Sequence, residues 1–155
     1  MDSFKIKSYA KINLALNVIG KKTKLHKIES LISFIDLHDL INLKKIKKKN
    51  HKVIFKGKFS NNISKINTVT NLLKLLDEKE LLNNQKFEIN IVKNIPQKSG
   101  MGGGSMNAAS LINFFITKKI LRIKNNELKK LTSQIGSDVI LGMKPVNTIL
   151  SHNGE

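Results

Sequence analysis

Apolar residues recur along this chain with two different periods, and the switches between them sketch its elements. Ile12, Leu14, Leu16 and Val18 alternate with Lys11, Asn13, Ala15 and Asn17. A period of two predicts a strand with one apolar face and one partly polar face, and it puts Lys11 and Asn13 on the same side. Residues 20–24, opened by Gly20 and rich in lysine, read as a basic turn. Residues 28–36 form an apolar segment and read as a second strand. Residues 40–46 and 53–56 read as a strand pair around a dense lysine run, itself a solvated hairpin or loop. The period then changes. Val69, Leu72, Leu73 and Leu76 fall at the spacing of a helix with a core-facing stripe. Phe87, Ile89 and Ile91 alternate again as a strand, residues 96–104 read as a loop, and Ala108, Leu111, Ile112, Phe115 and Ile116 return to helical spacing. A third helix, capped by Asn125 or Asn126, carries Leu128, Leu131 and Ile135 and ends at Gly136. Residues 148–150 read as a last strand. Strands come first and then mix with helices, which predicts an α+β fold in one domain over residues 1–155.

Composition narrows the function classes. The chain has 155 residues, 40% hydrophobic and 25% charged, which is the profile of a globular domain and not of a disordered tail. It has no cysteine, which excludes disulfide scaffolds and cysteine-based zinc sites and fits a cytoplasmic protein. No apolar run approaches the roughly 20 residues that cross a bilayer. The net charge of +17 invites a nucleic-acid reading, but Arg122 is the single arginine among 28 basic residues. Arginine is the side chain that reads phosphates and guanines by bidentate geometry. Lysine accompanied by abundant asparagine and isoleucine reads better as coding bias and a wet surface, so a basic RNA-binding domain stands as the lesser alternative. The four histidines show no metal-ligand spacing.

The chemistry concentrates in the segment from Lys93 to Ala109, which contains Pro96, Gln97, Lys98, Ser99, Gly100, Met101, Gly102, Gly103, Gly104, Ser105 and Met106. It follows a predicted strand and opens a predicted helix. Four glycines in five residues work against a helix, at about 1 kcal/mol each relative to alanine. What they supply is positive φ and close approach of backbone to a ligand. Successive N–H groups and the positive end of the following helix make an anion nest suited to a phosphate chain. The pattern lacks the Gly-Lys-Ser/Thr ending of a Walker loop and the last small residue of a dinucleotide fingerprint. Ser105, opening the helix, reads as an N-cap.

This segment resembles the ATP loop of the GHMP kinase superfamily of small-molecule kinases. Three further blocks agree in order: Tyr9-Ala10-Lys11-Ile12-Asn13-Leu14; His26-Lys27-Ile28-Glu29-Ser30-Leu31 with Phe34, Asp36 and Asp39; and Ile135-Gly136-Ser137-Asp138-Val139. The resemblance covers essentially the whole chain. It implies the N-terminal ATP-binding domain of such a kinase, with a fold like ribosomal protein S5 domain 2. It also implies that a C-terminal domain needed to complete the cleft is absent from the sequence, which stops at Asn153-Gly154-Glu155. By resemblance Lys11 and Asp138 are catalytic, residues 96–106 bind ATP, and Ser105 reaches phosphate or Mg²⁺. Asn13 and His26 then hold a small alcohol bearing a cytidyl diphosphate, with no nucleic acid or membrane as partner. Leu25 stands where the resembled sequences carry an aromatic ring, which keeps a different small alcohol open as the alternative.

Overall fold

A computed structural model of the protein describes residues 3–22 and 25–150, with the backbone alone for 21, 22 and 25–28. The strands are β1 (Ser3–Lys22), β2 (Leu25–Ile46), β3 (Lys52–Lys56), β4 (Lys86–Val92) and β5 (Thr148–Leu150). The helices are α1 (Thr68–Glu78), α2 (Gly103–Thr117) and α3 (Asn125–Ile135), with a short 3₁₀ turn at Leu141–Met143. The strands form one sheet in the order β1-β2-β4-β3, and β5 adds to β2. All neighbours are antiparallel except β3 and β4, which run parallel. The architecture is α+β, as expected.

The period-two pattern explains which side of the sheet is covered. Register places Phe4, Leu43 and Ile89 in one row and Ile6, Ile41 and Ile91 in the next. Ile41, Leu43, Ile89 and Ile91 are buried against Val69, Leu72 and Leu76 of α1 and Leu111, Ile112 and Phe115 of α2. The positions between them face away from the helices and are polar. There Glu88 of β4 pairs with Lys44 of β2 at 3.1 Å and Lys52 of β3 at 3.4 Å. The helices therefore pack on one face and an ionic ladder crosses the other. Asn67 starts α1 with its carboxamide accepting from the Val69 and Thr70 amides, at 3.0 and 3.1 Å.

Three expectations change. Residues 28–36 and 40–46 are parts of one strand, β2, interrupted only by a bulge that opposes Tyr9/Ala10 to His38/Ile35. The segments around the lysine run are not partners, because β4 lies between β2 and β3. A parallel β3–β4 pair requires a crossover, and α1 supplies it. The third helix starts one residue early: Lys124 is its N-cap, and Glu127 accepts from the Lys124 amide at 3.3 Å.

The β1–β2 hairpin outruns the helices. Its outer half is an arm along which Leu14, Leu16 and Val18 are 60%, 54% and 65% exposed. Their face does not meet the core, and bulges at Leu14 and Ile19 break the simple alternation. The closing residues 153–155 lie outside the described residues.

At the start of β4, His51 is packed beside Phe87. Its Nδ1 accepts the Phe87 amide at 3.1 Å and its Nε2 meets Asp77 Oδ1 at 3.2 Å. Burial draws the imidazole below its ordinary value of about 6.5, with Asp77 opposing. Asp77 itself is held below its ordinary 3.8, because hydrogen bonds from Lys86 and His51 outweigh burial. A histidine depressed in the folded state contributes stability that is complete above the unfolded pKa and is lost as pH falls through it. Urea denaturation of the wild type should therefore show stability declining from about pH 6.5 downward, and His51→Gln should flatten that slope between about pH 6.5 and 5. Equal slopes in the two proteins would contradict the assignment.

Candidate functional site

A cleft of about 430 Å³ opens where β4 runs out and α2 begins. Its walls come from the glycine loop, from the N-terminus of α1 (Asn67, Thr68, Val69), from Phe55 of β3 and from Asp138. Pro96, Gln97, Lys98, Ser99, Gly100, Gly102, Gly103, Gly104 and Ser105 all line it.

The glycines are there for space as well as conformation. Gly102 is the N-cap of α2 at φ 66°, ψ 14°, in the left-handed region, and no side chain caps the helix. The first-turn amides of a 15-residue helix thus open toward the cleft without a side-chain acceptor. A Cβ at Gly104 would come within 2.9 Å of Thr68 Oγ1, which donates to the Gly104 carbonyl at 2.8 Å. A Cβ at Gly103 would lie 3.1 Å from Lys93 Nζ and from Ile95, and one at Gly102 would press on the Lys11 stem at 3.2 Å. The Lys11 amide donates to the Met101 carbonyl at 3.1 Å, which stitches the loop to β1.

Lys11 and Asp138 meet at the head of this helix. The ammonium lies 3.2 Å from Asp138 Oδ2 and donates to Asn13 Oδ1 at 3.1 Å. Lys11 is buried and Asp138 is half-exposed toward the cleft. Two residues 127 positions apart in number, on β1 and after α3, thus form one charged pair beside Gly102. Chemically, the arrangement offers an anion-binding helix terminus, a carboxylate able to take a proton and a lysine able to hold a hydroxyl oxygen.

Below the loop lies a buried polar row. The inner-face positions that carry Ile41 and Ile91 in one row carry Ser8, Asp39 and Lys93 in the next. Asp39, fully buried, pairs with the Lys93 ammonium and accepts the Asn94 and Ile95 amides at 2.8 and 2.9 Å. It also accepts Asn107 Nδ2 at 2.9 Å.

The chain from residue 67 to 146 matches the family model for the GHMP kinases N terminal domain. The chain belongs to the GHMP kinases. It is 68% identical over its whole length to the 4-diphosphocytidyl-2-C-methyl-D-erythritol kinase of Pelagibacter ubique, of which it covers 55%. It is 35% identical over 140 residues to the enzyme of the same name from Clostridioides difficile, covering 90% of this chain and 47% of that one. This GHMP chain therefore spans about half the length of the curated relatives it matches. A solved 4-(cytidine 5'-diphospho)-2C-methyl-D-erythritol kinase superposes with a TM-score of 0.75 at 21% identity, over 98% of this chain and 53% of its own, and confirms the fold.

Within this GHMP domain most residues singled out from sequence come together, with corrections. Met106 is 2% exposed and faces a separate groove with Ile6, Tyr9 and Phe34, because helical phase turns it away from the cleft. Met101 contributes its carbonyl and does not line the cleft. Ser105 sits inside the first turn and is not the N-cap, a position Gly102 takes. Gln97 lines the cleft, and its Nε2 also donates to the Phe59 and Asn61 carbonyls at 2.8 and 2.7 Å, which tethers the loop. The side chains of Leu25 and His26 lie outside the described residues. Sequence reasoning gave no role to Asp39, Lys93, Asn107 or Thr68. A signal existed for the first two: each places a charge on the core-facing parity of an otherwise apolar strand.

The glycines differ in what substitution should cost. Gly100→Ala meets open space at φ 76° and should lose about 1–2 kcal/mol from backbone strain alone. Gly102→Ala adds a contact with Lys11 to the same strain and should lose more, read from chemical denaturation midpoints. Equal losses would argue against close packing of Lys11 on the loop.

Proposed function

We propose that this chain is the ATP-binding half of a 4-diphosphocytidyl-2-C-methyl-D-erythritol kinase, acting in non-mevalonate isoprenoid precursor synthesis in the cytoplasm. The observation that carries the reading is the Lys11–Asp138 pair, 3.2 Å apart at the mouth of an uncapped, glycine-lined helix terminus. The relatives that match the whole chain support the choice of substrate. In this reading a second, C-terminal domain completes the cleft, in keeping with the share of those relatives that the chain spans.

Phosphoryl transfer asks a protein chiefly for position and charge. The triphosphate of ATP lies along the cleft-lining residues 96–100 and 102–105, with the amides of the first turn of α2 facing its oxygens. Lys11 uses two of its three donor directions on Asn13 and Asp138, which leaves one for the acceptor oxygen. Asp138 takes the hydroxyl proton as that oxygen bonds to the γ-phosphorus, and the bond to the β-bridging oxygen breaks to release ADP. Asn13 fixes the Lys11 ammonium and, with His26, holds the cytidyl-diphosphate alcohol.

The donors at the cleft suit Mg²⁺. No cluster of three or more acidic, histidine or cysteine side chains occurs among the described residues, but Mg²⁺ usually takes only one or two protein oxygens beside phosphates and water. Ser105, near Gly136, and the carboxylate of Asp138 are hard oxygens of that kind. When bound, the ion would neutralise charge on the phosphates.

The test is ADP release by the complete reading frame with Mg-ATP and 4-diphosphocytidyl-2-C-methyl-D-erythritol. Asp138→Asn and Lys11→Ala should each lower kcat by about 10²–10⁴-fold. Full turnover in either variant would remove the proposed pair from the chemistry. ATP binding without turnover of this alcohol would redirect the search to another small alcohol suited to Leu25.

A further inference from the structure

We infer that Asp39 is a positioning residue for the phosphate loop, setting both the exit of the chain from β4 and the orientation of the Asn107 carboxamide. The inference rests on reading that loop as a phosphate site. It starts from where the partners of Asp39 lie. Oδ1 accepts the amides of Asn94 and Ile95, the two residues just before Pro96, at 2.8 and 2.9 Å. Those two bonds fix the direction in which the backbone leaves β4 and enters the glycine turn. Oδ2 holds the Lys93 ammonium, which stands 3.1 Å from where a Cβ on Gly103 would be. A positive charge is thereby pinned beneath the first turn of α2, adding to the partial positive charge of that terminus.

Asn107 supplies the second part. It is 1% exposed, it lines the cleft, and it donates Nδ2 to Asp39 Oδ2 at 2.9 Å. An ionised carboxylate only accepts, so it dictates which end of the carboxamide faces it. The other end, Oδ1, is left buried without a hydrogen-bond partner. A buried orphan acceptor is costly, and one in a phosphate cleft suits a water or hydrated cation carried in with the phosphates. Asp39 touches none of these ligands itself. It acts through Asn94, Ile95, Lys93 and Asn107.

Asp39→Asn alone strands the Lys93 charge and could fail to fold, so the decisive variant is Asp39→Asn with Lys93→Met. The double variant removes both charges, keeps an acceptor for the two backbone amides, and offers Asn107 an N–H, which turns its carboxamide over so that Oδ1 meets residue 39. Three readouts on the complete reading frame decide: thermal midpoint, Mg-ATP affinity by calorimetry, and amide hydrogen exchange over residues 98–105. The expected result is a midpoint near that of the wild type, Mg-ATP affinity weakened about tenfold or more, faster exchange in the loop, and an unchanged KM for the alcohol. Affinity and loop protection that return along with the midpoint would overturn the proposal and leave Asp39 a stabilising residue only. A wild type that binds no Mg-ATP would sink the phosphate reading, and loop exchange would then decide the positioning role by itself.

Discussion

A carboxylate taken wholly out of water costs several kcal/mol unless opposite charge and hydrogen bonds replace the lost solvent, and the centre of this domain is organised around that requirement at Asp39. Its four donors come from the Lys93 side chain, two consecutive loop amides and the second turn of α2. Strand, loop and helix cannot shift independently without leaving one of these donors, or the carboxylate, unsatisfied. The apolar rows above it, Ile6–Ile41–Ile91 and Phe4–Leu43–Ile89, glue the sheet to the helices. Such contacts are non-directional and tolerate sliding. The polar row fixes register along the strand axis at the point where the glycine turn begins.

The glycine turn is then a consequence of crowding as much as of chain freedom. Thr68 approaches from α1, Lys93 and Ile95 from beneath, and Lys11 from β1. Each comes close enough that a methyl group would have to displace it. Helix α2 can begin this near three other elements only because its first residues have no side chains. The same packing leaves its amides as the surface available to an incoming anion, and brings the Lys11 stem against Gly102 with the ammonium on Asp138.

Much of this was legible from residue order. The stripes of α1 and α2 and the alternation of β4 coincide with burial: Val69, Leu72, Leu73 and Leu76, Leu111, Ile112 and Phe115, and Phe87, Ile89 and Ile91 are all interior. Lys11 and Asn13 do share a face, and the glycine segment does join a strand to a helix. What was hidden depends on long-range placement. Periodicity says that residues 40–46 and 53–56 are strands but not that β4 comes between them. It cannot see that two apolar segments fuse into β2 through a bulge, nor that the alternation of residues 12–18 lies beyond the reach of any described helix. Gln97 was grouped with the rest of the loop as a ligand contact, whereas its Nε2 is held by carbonyls 38 and 36 residues earlier in the chain. Asp39 was quoted within a motif, yet its parity with Ile41 and Leu43 held the stronger clue.

The bulge between Tyr9/Ala10 and His38/Ile35 carries a mechanical consequence. From Ala10 to Gly20 the arm extends about 33 Å at the usual rise of a strand, and little of it is braced by the helices. Lys11 is the second residue beyond the pivot. A tilt of about 10° at the bulge sweeps the far end of such an arm through about 6 Å, while the ammonium beside Asp138 barely moves. A pivot there would swing the outer hairpin and leave the Lys11–Asp138 pair nearly in place.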